Sequence, residues 1–327
     1  MSLVQMGSTQ SAATLTQFRI GYLTIPNAEL LVKNLKLAEE RFPDIRIKWI
    51  PFKSGHAVNV AMLEGDIDVG LVGSVPTSTG IVQGLPYQVY FIHNLIGDNE
   101  ALAVTQASKV KSVTDLVDKK IAVPFGSTTH FSLLSALEKA RVDLDSVRIL
   151  DMQPPEMLSA WNRGAVDGGF VWQPTLSTML QADGSVLLTA KDLAREGSIT
   201  ADLGIVSTAF LQSYPDFLAS YVSVLDEAVQ RYRAAPTAAA EAIAPALGLS
   251  PEDTLAVMNE LIWLDAEEQA SAQYLGTPIS PGELAQVLKQ SADFMADQKA
   301  IPGVPDLETF QTAIWREAIA TVATAQK

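Results

Sequence analysis

Two short segments of this chain match each other at a constant offset of 99 residues. Gly65–Val72 and Gly164–Val171 share the pattern Gly-x-Ile/Val-Asp-x-Gly-x-Val, and both run into a turn that contains a proline, Pro76 or Pro174. A glycine followed by an apolar run is typical of the corner between a helix and a buried strand. The match has two explanations. Either a frequent type of helix–strand corner occurs twice, or the chain consists of two lobes of similar α/β design.

The chain before residue 208 alternates between strand-like and helix-like patterns. Phe18–Tyr22 and Ile45–Trp49 alternate with a period of two, whereas Leu30–Ala38 repeats its apolar residues at helical spacing. A second run of this kind begins near Thr105. It predicts strands at Ile121–Pro124, Val147–Leu150 and Val166–Val171, with helices at Ser127–Ala140 and Pro155–Trp161. Such alternation predicts an α/β fold with mainly parallel sheets, and 327 residues suffice for two units of about 100–200 residues.

After Thr208 the pattern changes to helices alone. The predicted helices are Tyr221–Arg233, Thr237–Leu247, Pro251–Leu264, Pro281–Lys299 and Leu307–Thr324. Ser250-Pro251 and Ser280-Pro281 each fit a serine N-cap followed by proline at the first helical position. We expect this tail to pack around a lobe as scaffold.

Composition excludes several classes of function. A net charge of −14 argues against nucleic acid as a partner. The absence of cysteine excludes a thiolate nucleophile and a cysteine-type zinc site. His56, His93 and His130 are dispersed without metal-ligand spacing, and neither a Walker A motif nor a Gly-x-Ser-x-Gly motif occurs. The sequence therefore predicts no catalytic residue, no metal site and no cofactor.

Two stretches need a separate interpretation. Residues 1–16 are small and polar and lack the basic and apolar regions of an intact signal peptide, so we interpret them as a leader remnant or tag. Val69–Gly97 is a run of 29 residues without charge, but its five glycines and two prolines argue against a membrane-spanning helix. It predicts buried strands that flank a neutral, hydroxyl-rich cleft.

One loop has the pattern of an anion site. The strand that ends at Pro124 is followed by Gly126, which permits a tight turn, and then by Ser127-Thr128-Thr129-His130. Ser127 can cap a helix, and helix N-termini offer unpaired N–H groups and a partial positive charge. Gly73-Ser74 has the same design in the first half of the chain. A serine cap often serves the helix alone, but two at matching strand ends favour a shared ligand site.

Two acidic residues and a tryptophan precede or close apolar runs. Glu100 and Asp202 each stand directly before a strand-like segment, and Trp172 closes another. The acidic residues fit either solvated strand entries or carboxylates that face a cleft between lobes. Trp172 fits either the rim of that cleft or a core position.

These segments resemble a known family, the periplasmic solute-binding proteins of ABC importers for taurine and aliphatic sulfonates. They form part of a larger nitrate-, sulfonate- and bicarbonate-binding group. The resemblance runs from about Phe18 to Val222 and is closest at Lys120–Phe125, Ser127–His130 and Val171–Pro174. It implies a two-lobed periplasmic-binding-protein-like fold of type II, in which each lobe has a mainly parallel sheet with flanking helices, plus a C-terminal helical tail.

The resemblance also implies boundaries and partners. We expect lobe 1 at residues 17–103 and 205–327 and lobe 2 at residues 104–204, joined by two crossings about which the lobes close. The expected partners are a small sulfonate ligand and the membrane subunits of an ABC permease. The expected state is a monomer in the periplasm, with its signal peptide removed.

Ten positions are expected to bind the ligand by this resemblance. They are Tyr22, Ser54, Ser74, Glu100, Ser127, Thr128, Thr129, His130, Trp172 and Asp202. A sulfonate is permanently anionic, so N–H and hydroxyl donors suit it. Glu100 and Asp202 match acidic positions that suit an ammonium group.

Two departures from the taurine branch affect the expected ligand. The family usually has Asp-Ser-Gly where this chain has Lys53-Ser54-Gly55, and an aromatic residue where this chain has Gly204. We expect Gly204 to remove one wall of the pocket and Lys53 to add a positive charge. Either change would admit a larger or more acidic ligand.

Three other functions stay open at this point. One is a binding protein for another small anion, such as nitrate or bicarbonate. The second is an enzyme on the same scaffold, similar to thiamine-pyrimidine synthases, although those resemble iron-dependent proteins with a cysteine-rich segment. The third is the effector domain of a transcription factor, which would need a DNA-binding module that the sequence does not show.

Overall fold

The computed structural model describes residues 14–325, which form two five-stranded sheets with flanking helices. Residues 1–13 of the predicted leader remnant lie outside the described residues. The first sheet consists of β1 (Gln17–Leu23), β2 (Arg46–Phe52), β3 (Val69–Gly73), β4 (Tyr87–Leu95) and β10 (Ala201–Ser207), in the order β2-β1-β3-β10-β4. Only β10 runs antiparallel to its neighbours in this sheet.

The second sheet repeats this topology. It consists of β5 (Glu100–Thr105), β6 (Lys120–Val123), β7 (Arg148–Asp151), β8 (Gly168–Trp172) and β9 (Gly184–Thr189), in the order β7-β6-β8-β5-β9. Here β5 is the antiparallel strand. The predicted α/β fold with two mainly parallel sheets is confirmed.

The two matching segments occupy the same place in their sheets, because each leads from the end of a helix into β3 or β8. Gly65 and Gly164 follow the ends of the preceding helices. Both glycines have the left-handed backbone conformation, with φ of 74° and 64°, which glycine adopts without strain. The Asp68 side chain accepts a hydrogen bond from the Arg19 N–H of β1 at 2.7 Å. The Asp167 side chain accepts one from the N–H of the residue that opens β6, at 2.9 Å. The repeat therefore reflects two units of the same design.

Helices cover both sheets, and the last seven form the tail. The first nine are α1 (Ala28–Leu35), α2 (Leu37–Arg41), α3 (Gly55–Glu64), α4 (Ser74–Val82), α5 (Thr128–Lys139), α6 (Pro154–Asn162), α7 (Thr175–Gln181), α8 (Ala190–Arg195) and α9 (Thr208–Ser213). The tail contains α10 (Pro215–Ala234), α11 (Pro236–Leu247), α12 (Pro251–Asn259), α13 (Ala266–Gln269), α14 (Leu284–Asp297), α15 (Leu307–Thr312) and α16 (Glu317–Ala325), with a hairpin of β11 (Gly276–Thr277) and β12 (Ser280–Pro281). Single 3₁₀ turns lie at Gln106–Ser108, Val113–Leu116 and Leu144–Ser146.

The tail belongs to the core of the first sheet. Tyr221, Phe310 and Ile319 of the tail are fully buried in the same apolar cluster as Phe18 and Ile20 of β1. The second sheet has one apolar cluster on each face, because its strands alternate their side chains between the two sides.

The uncharged stretch Val69–Gly97 forms β3, α4 and β4, and most of it is buried. The predicted buried strands are therefore confirmed. Among the described helices, none is both long and apolar enough to cross a lipid bilayer.

Two predicted helix starts had different outcomes. Ser250 caps α12 by accepting a hydrogen bond from the Asp253 N–H at 3.0 Å, and Pro251 is the first helical residue, as predicted. The predicted start at Pro281 is wrong, because Ser280-Pro281 pairs with Gly276-Thr277 as a hairpin and α14 begins at Leu284.

The predicted helix Leu307–Thr324 is also wrong as a single element, because residues 313–316 separate α15 from α16. The Val89 N–H of β4 donates to the Ala313 carbonyl, and the Trp315 N–H donates to the Val89 carbonyl, both at 2.8 Å. The backbone of this segment thus continues the sheet edge at β4 instead of completing helical turns.

The chain crosses between the sheets twice. The crossings are residues 96–99, between β4 and β5, and residues 190–200, between β9 and β10. The predicted lobe boundaries at 103/104 and 204/205 fall inside β5 and β10, which pair with their sheets along their length. The extent of each lobe stays a prediction.

The first crossing leaves no room for a side chain at Gly97. The Asp98 N–H donates to the Glu260 carbonyl oxygen at 3.2 Å, and a Cβ atom on Gly97 would collide with that same oxygen. We expect Gly97→Ala to lower the free energy of unfolding by about 1–3 kcal/mol, measured by urea denaturation, because overpacking forces the backbone apart.

Gly303→Ala is the matched control, since apart from Gly303 and its two chain neighbours no heavy atom of the described residues lies within 4 Å of its Cβ position. Its stability should stay within about 0.5 kcal/mol of the original protein. Equal stabilities of the two variants would contradict the steric argument.

Candidate functional site

A cleft lies where the carboxyl ends of the parallel strands of both sheets face each other. It is lined by Leu23, Ile25, Gly55, Gly73, Pro76, Asn99, Glu100, Ser127, Thr128, Trp172 and Asp202, and its volume is about 390 Å³ including its open mouth. Leu23, Gly73 and Trp172 are the last residues of β1, β3 and β8. This is the edge at which open α/β sheets bind ligands.

Three helices begin at this cleft. Gly55 is the first residue of α3, Gly73 is the N-cap of α4, and Thr128 is the first residue of α5. Each helix start leaves N–H groups without helical partners and carries about half a positive charge. The three helix starts therefore bring partial positive charge to the cleft, although no lysine, arginine or histidine lines it among the residues that the structure describes.

The elements of the two sheets touch at the cleft. A Cβ atom on Gly73 would lie 2.8 Å from the Thr128 Cγ2 atom. Any larger residue at position 73 would therefore push α5 away from α4, so glycine permits the close approach.

The hydroxyl groups at the start of α5 are already partly engaged. The Ser127 hydroxyl donates to the Pro124 carbonyl at 2.6 Å and accepts from the His130 N–H at 3.2 Å. It also lies 2.8 Å from the Thr129 hydroxyl, which is fully buried. The serine is a helix cap that also lines the cleft.

Glu100 and Asp202 bring one buried carboxyl from each sheet into the cleft, and both are at most 6% exposed. The Thr128 hydroxyl donates to the Glu100 Oε1 atom at 2.6 Å, whereas the buried Oε2 atom has no hydrogen-bond partner among the described residues. An unsatisfied buried carboxyl oxygen at a cleft is a position for a ligand donor.

Both carboxyls hold a proton more tightly than exposed acids do. Burial raises the pKa of Glu100 to about 8; the hydrogen bond from Thr128 opposes the shift, and the nearby Asp202 adds to it. Burial raises the pKa of Asp202 to about 7, opposed by the Asn94 side chain. A cation placed between them would reverse these shifts by favouring the ionised forms.

Apolar residues complete the cleft. Leu23, Ile25 and Pro76 line it from the first sheet's side, and the partly buried Trp172 lines it from the second. Trp172 is the cross-strand partner of Glu100. The cleft thus combines N–H groups that can donate to an anion, two carboxyls and a short apolar wall. This combination suits a small molecule that carries one positive and one negative charge.

The structure places five of the ten predicted residues in the lining: Glu100, Ser127, Thr128, Trp172 and Asp202. Two other serines lie next to lining glycines. Ser54 caps α3 by accepting from the Ala57 N–H at 3.4 Å, and the fully buried Ser74 hydroxyl accepts from the Ala201 N–H at 3.2 Å. Their hydroxyls support the helix and strand starts.

Tyr22, Thr129 and His130 are not among the lining residues. The Tyr22 ring packs edge-on against Trp49, with centroids 6.1 Å apart. His130 Nδ1 accepts a hydrogen bond from the Gly126 N–H at 3.2 Å, and its ring stacks on Phe125. Burial lowers the pKa of His130 to about 4, so this side chain is neutral near pH 7.

The sequence reasoning did not single out Leu23, Ile25, Pro76 and Asn99 as lining residues. Asn99 directly precedes Glu100, and Leu23 directly follows the first predicted strand, Phe18–Tyr22. The sequence signal that could have identified these lining residues is their position near strand ends, because strand ends form the edge of the sheet at which ligands bind.

The expected open wall at Gly204 is wrong. A Cβ atom on Gly204 would lie 2.9 Å from the Cζ atom of Tyr90, whose fully buried ring takes this space from the neighbouring strand β4. The register between β4 and β10 shifts beside Gly204, which brings Tyr90 into position. Lys53 is exposed and is not among the lining residues.

No group of three or more histidine, cysteine or acidic side chains within residues 14–325 is arranged to hold a metal ion.

Comparison with known proteins identifies the family. A family model for the substrate binding domain of an ABC-type glycine betaine transport system matches residues 17–244. The chain belongs to this family. Over 264 residues it is 30% identical to the taurine-binding periplasmic protein of Escherichia coli (strain K12), and the match covers 79% of each chain. The resemblance to taurine- and aliphatic-sulfonate-binding periplasmic proteins that the sequence indicated is confirmed.

Solved structures agree with the fold. The alkanesulfonate-binding protein SsuA from Xanthomonas axonopodis pv. citri, bound to MOPS, has a TM-score of 0.77 and 25% identity, over 93% of this chain and 100% of that one. The desulfurization enzyme DSZB has a TM-score of 0.68 at 15% identity, over 95% of this chain and 100% of that one. That likeness shows the fold alone, so one architecture serves both binding and catalysis.

The raised pKa of Glu100 predicts a pH dependence of stability. Between about pH 4.5 and pH 8 the unfolded chain loses this proton while the native state keeps it, so stability falls as pH rises through this window. Without ligand, Glu100→Gln should be more stable than the original protein at pH 8, and this gain should shrink towards pH 4. We expect a gain on the order of a few kcal/mol, because a tenfold change in proton affinity corresponds to about 1.4 kcal/mol.

Thermal unfolding at both pH values measures this difference. Glu241→Gln, at an exposed position of α11, is the control and should show no such trend. A gain for Glu100→Gln that is the same at pH 4 and pH 8 would contradict the burial argument.

Proposed function

We propose that this protein is the periplasmic substrate-binding component of an ABC importer, that it captures taurine or a related small sulfonate in the cleft, and that it delivers the ligand to the membrane permease. One observation carries the proposal: three helix N-termini and two buried carboxyls line the same small cleft. The names of the relatives, a taurine-binding and an alkanesulfonate-binding protein, support the same ligand class.

The sulfonate group is assigned to the helix starts. It is permanently anionic and accepts hydrogen bonds without needing a proton, which matches the N–H groups at the starts of α3, α4 and α5. The net charge of −14 does not oppose this binding, because distant charges are screened over about 8 Å at physiological salt.

The ammonium group of an amino-sulfonate is assigned to Glu100 and Asp202. Among the described residues no basic side chain lines the cleft, so within this part of the chain the two carboxyls have no counter-ion at the cleft. An ammonium ligand would supply that charge, donate to the free Glu100 Oε2 atom and release the carboxyl protons. The short hydrocarbon between the two ligand charges would lie against the apolar wall.

Capture follows from contacts to both sheets. Gly55, Gly73 and Asp202 approach the ligand from the first sheet, and Thr128 and Trp172 approach it from the second. A ligand that contacts both sides favours the closed form over an open one, because only the closed form provides all of its contacts.

Isothermal titration with a ligand panel tests the proposal directly. Taurine and short alkanesulfonates should bind, and nitrate and bicarbonate should bind at least about tenfold more weakly, because they span neither the apolar wall nor the carboxyls. Absence of heat and of a thermal shift with every sulfonate would refute the ligand class. Preference for nitrate or bicarbonate would favour a carrier for that anion.

A comparison of taurine with ethanesulfonate, which lacks only the amine, tests the carboxyl assignment. Glu100→Gln should weaken taurine binding by about tenfold or more, because a charge-assisted hydrogen bond contributes about 1.5–3 kcal/mol. Binding of ethanesulfonate should change little, and the Glu241→Gln control should bind both ligands as the original protein does. Equal losses for the two ligands in Glu100→Gln would contradict the ammonium role.

A further inference from the structure

Helix α14 of the tail contacts the second sheet's helix α5 as well as the first sheet's helix α4. The Ser78 hydroxyl of α4 donates to the Leu288 carbonyl of α14 at 2.9 Å. Two turns later in α14, the Phe294 ring packs edge-on against the Phe131 ring of α5, with centroids 5.0 Å apart at 76°. The tail therefore bridges the elements on the two sides of the cleft.

Helix α5 divides its apolar residues between two cores. Leu133 and Leu137 are buried in the core of the second sheet, whereas Phe131 and Leu134 are buried in the cluster that contains the first sheet and the tail. One face of α5 is thus fixed to its own sheet. The other face packs across the interface between the two sides.

The contact lies one turn from the cleft. Phe131 follows Ser127 and Thr128, which line the cleft, whereas neither Phe131 nor Phe294 is among the lining residues. Because a helix is rigid over one turn, the contact at Phe131 fixes where Thr128 meets Gly73.

We propose that Phe294 is a positioning residue for ligand binding: through Phe131 it holds the N-terminus of α5 against the first side of the cleft, so that the C-terminal tail stabilises the closed form. This inference rests on the proposed capture by closure, but it does not depend on which anion is bound. It gives α14 a role in binding that the sequence pattern of an amphipathic scaffold helix does not indicate.

The expected change in ligand affinity for Phe294→Ala follows from the population of the closed form. An open form separates Phe131 from Phe294, so Phe294→Ala removes an interaction that only the closed form has, and the apparent affinity falls by the same factor as the closed population. An edge-to-face aromatic pair corresponds to about a three- to tenfold change in affinity. Most of this change should appear as faster ligand dissociation.

Two measurements test the role of Phe294. Stopped-flow and titration with taurine should show about three- to tenfold weaker binding for Phe294→Ala, and Phe294→Tyr, which keeps the ring, should restore most of the affinity. Because the chain has no cysteine, a spin-label pair at the exposed positions Glu138→Cys and Gln286→Cys can report the distance between α5 and α14. Phe294→Ala should shift that distance distribution towards longer values.

Phe217→Ala is the matched control. Phe217 is also a tail phenylalanine, but its ring contacts Phe18, Phe42 and Phe210 on the side of the first sheet. Its loss should lower thermal stability without changing the labelled distance or the affinity. In a double-mutant cycle, Phe131→Ala combined with Phe294→Ala should weaken binding no more than the stronger single variant, because both remove the same contact.

The outcomes separate this inference from the proposed function. Unchanged dissociation rates and unchanged distance distributions in Phe294→Ala would overturn the positioning role even if taurine binds. Additive losses in the cycle would also overturn it. Absence of binding to every sulfonate would refute the proposed ligand, whereas the spin-label distances without ligand would still support or overturn the role of Phe294.

Discussion

The direction of two strands determines the chemistry of the cleft. In each sheet four strands run parallel and one runs against them, β10 in the first and β5 in the second. Parallel strands end at the cleft, so a reversed strand begins there. Glu100 is the first residue of β5 and Asp202 is the second of β10, and each therefore lies at the cleft. The two carboxyls meet because the chain crosses between the sheets twice.

The same geometry explains how an acidic chain could hold an anion. The three helix starts supply N–H groups whose positions are fixed by the backbone, so little side-chain entropy is lost when a ligand binds. Basic side chains at the cleft would form ion pairs with Glu100 and Asp202 and would compete with a ligand cation. A cleft lined by neutral donors and buried acids keeps both partners available for a ligand with two opposite charges.

The C-terminal tail packs against the first sheet and also against α5 of the second side. Its helices complete the core of the first sheet, and the sequence pattern predicted only that the tail packs around a lobe as scaffold. Because Phe131 and Leu134 of α5 are buried in that same cluster, the packing extends across the interface between the two sides of the cleft. The contacts that position α5 therefore belong to the same apolar cluster that completes the first side.

The sequence alone determined the alternation of helices and strands before residue 208, the repeated corner at Gly65 and Gly164, and the serine caps at Ser127 and Ser250. These features depend on side-chain periodicity and on local backbone geometry, which neighbouring residues set. Only the tertiary structure decided which candidate groups line the cleft. A hydroxyl can either bond to its own backbone or face a ligand, and the space beside a glycine can be empty or filled by a distant ring such as Tyr90. Those choices depend on segments far apart in the chain, so no local pattern encodes them.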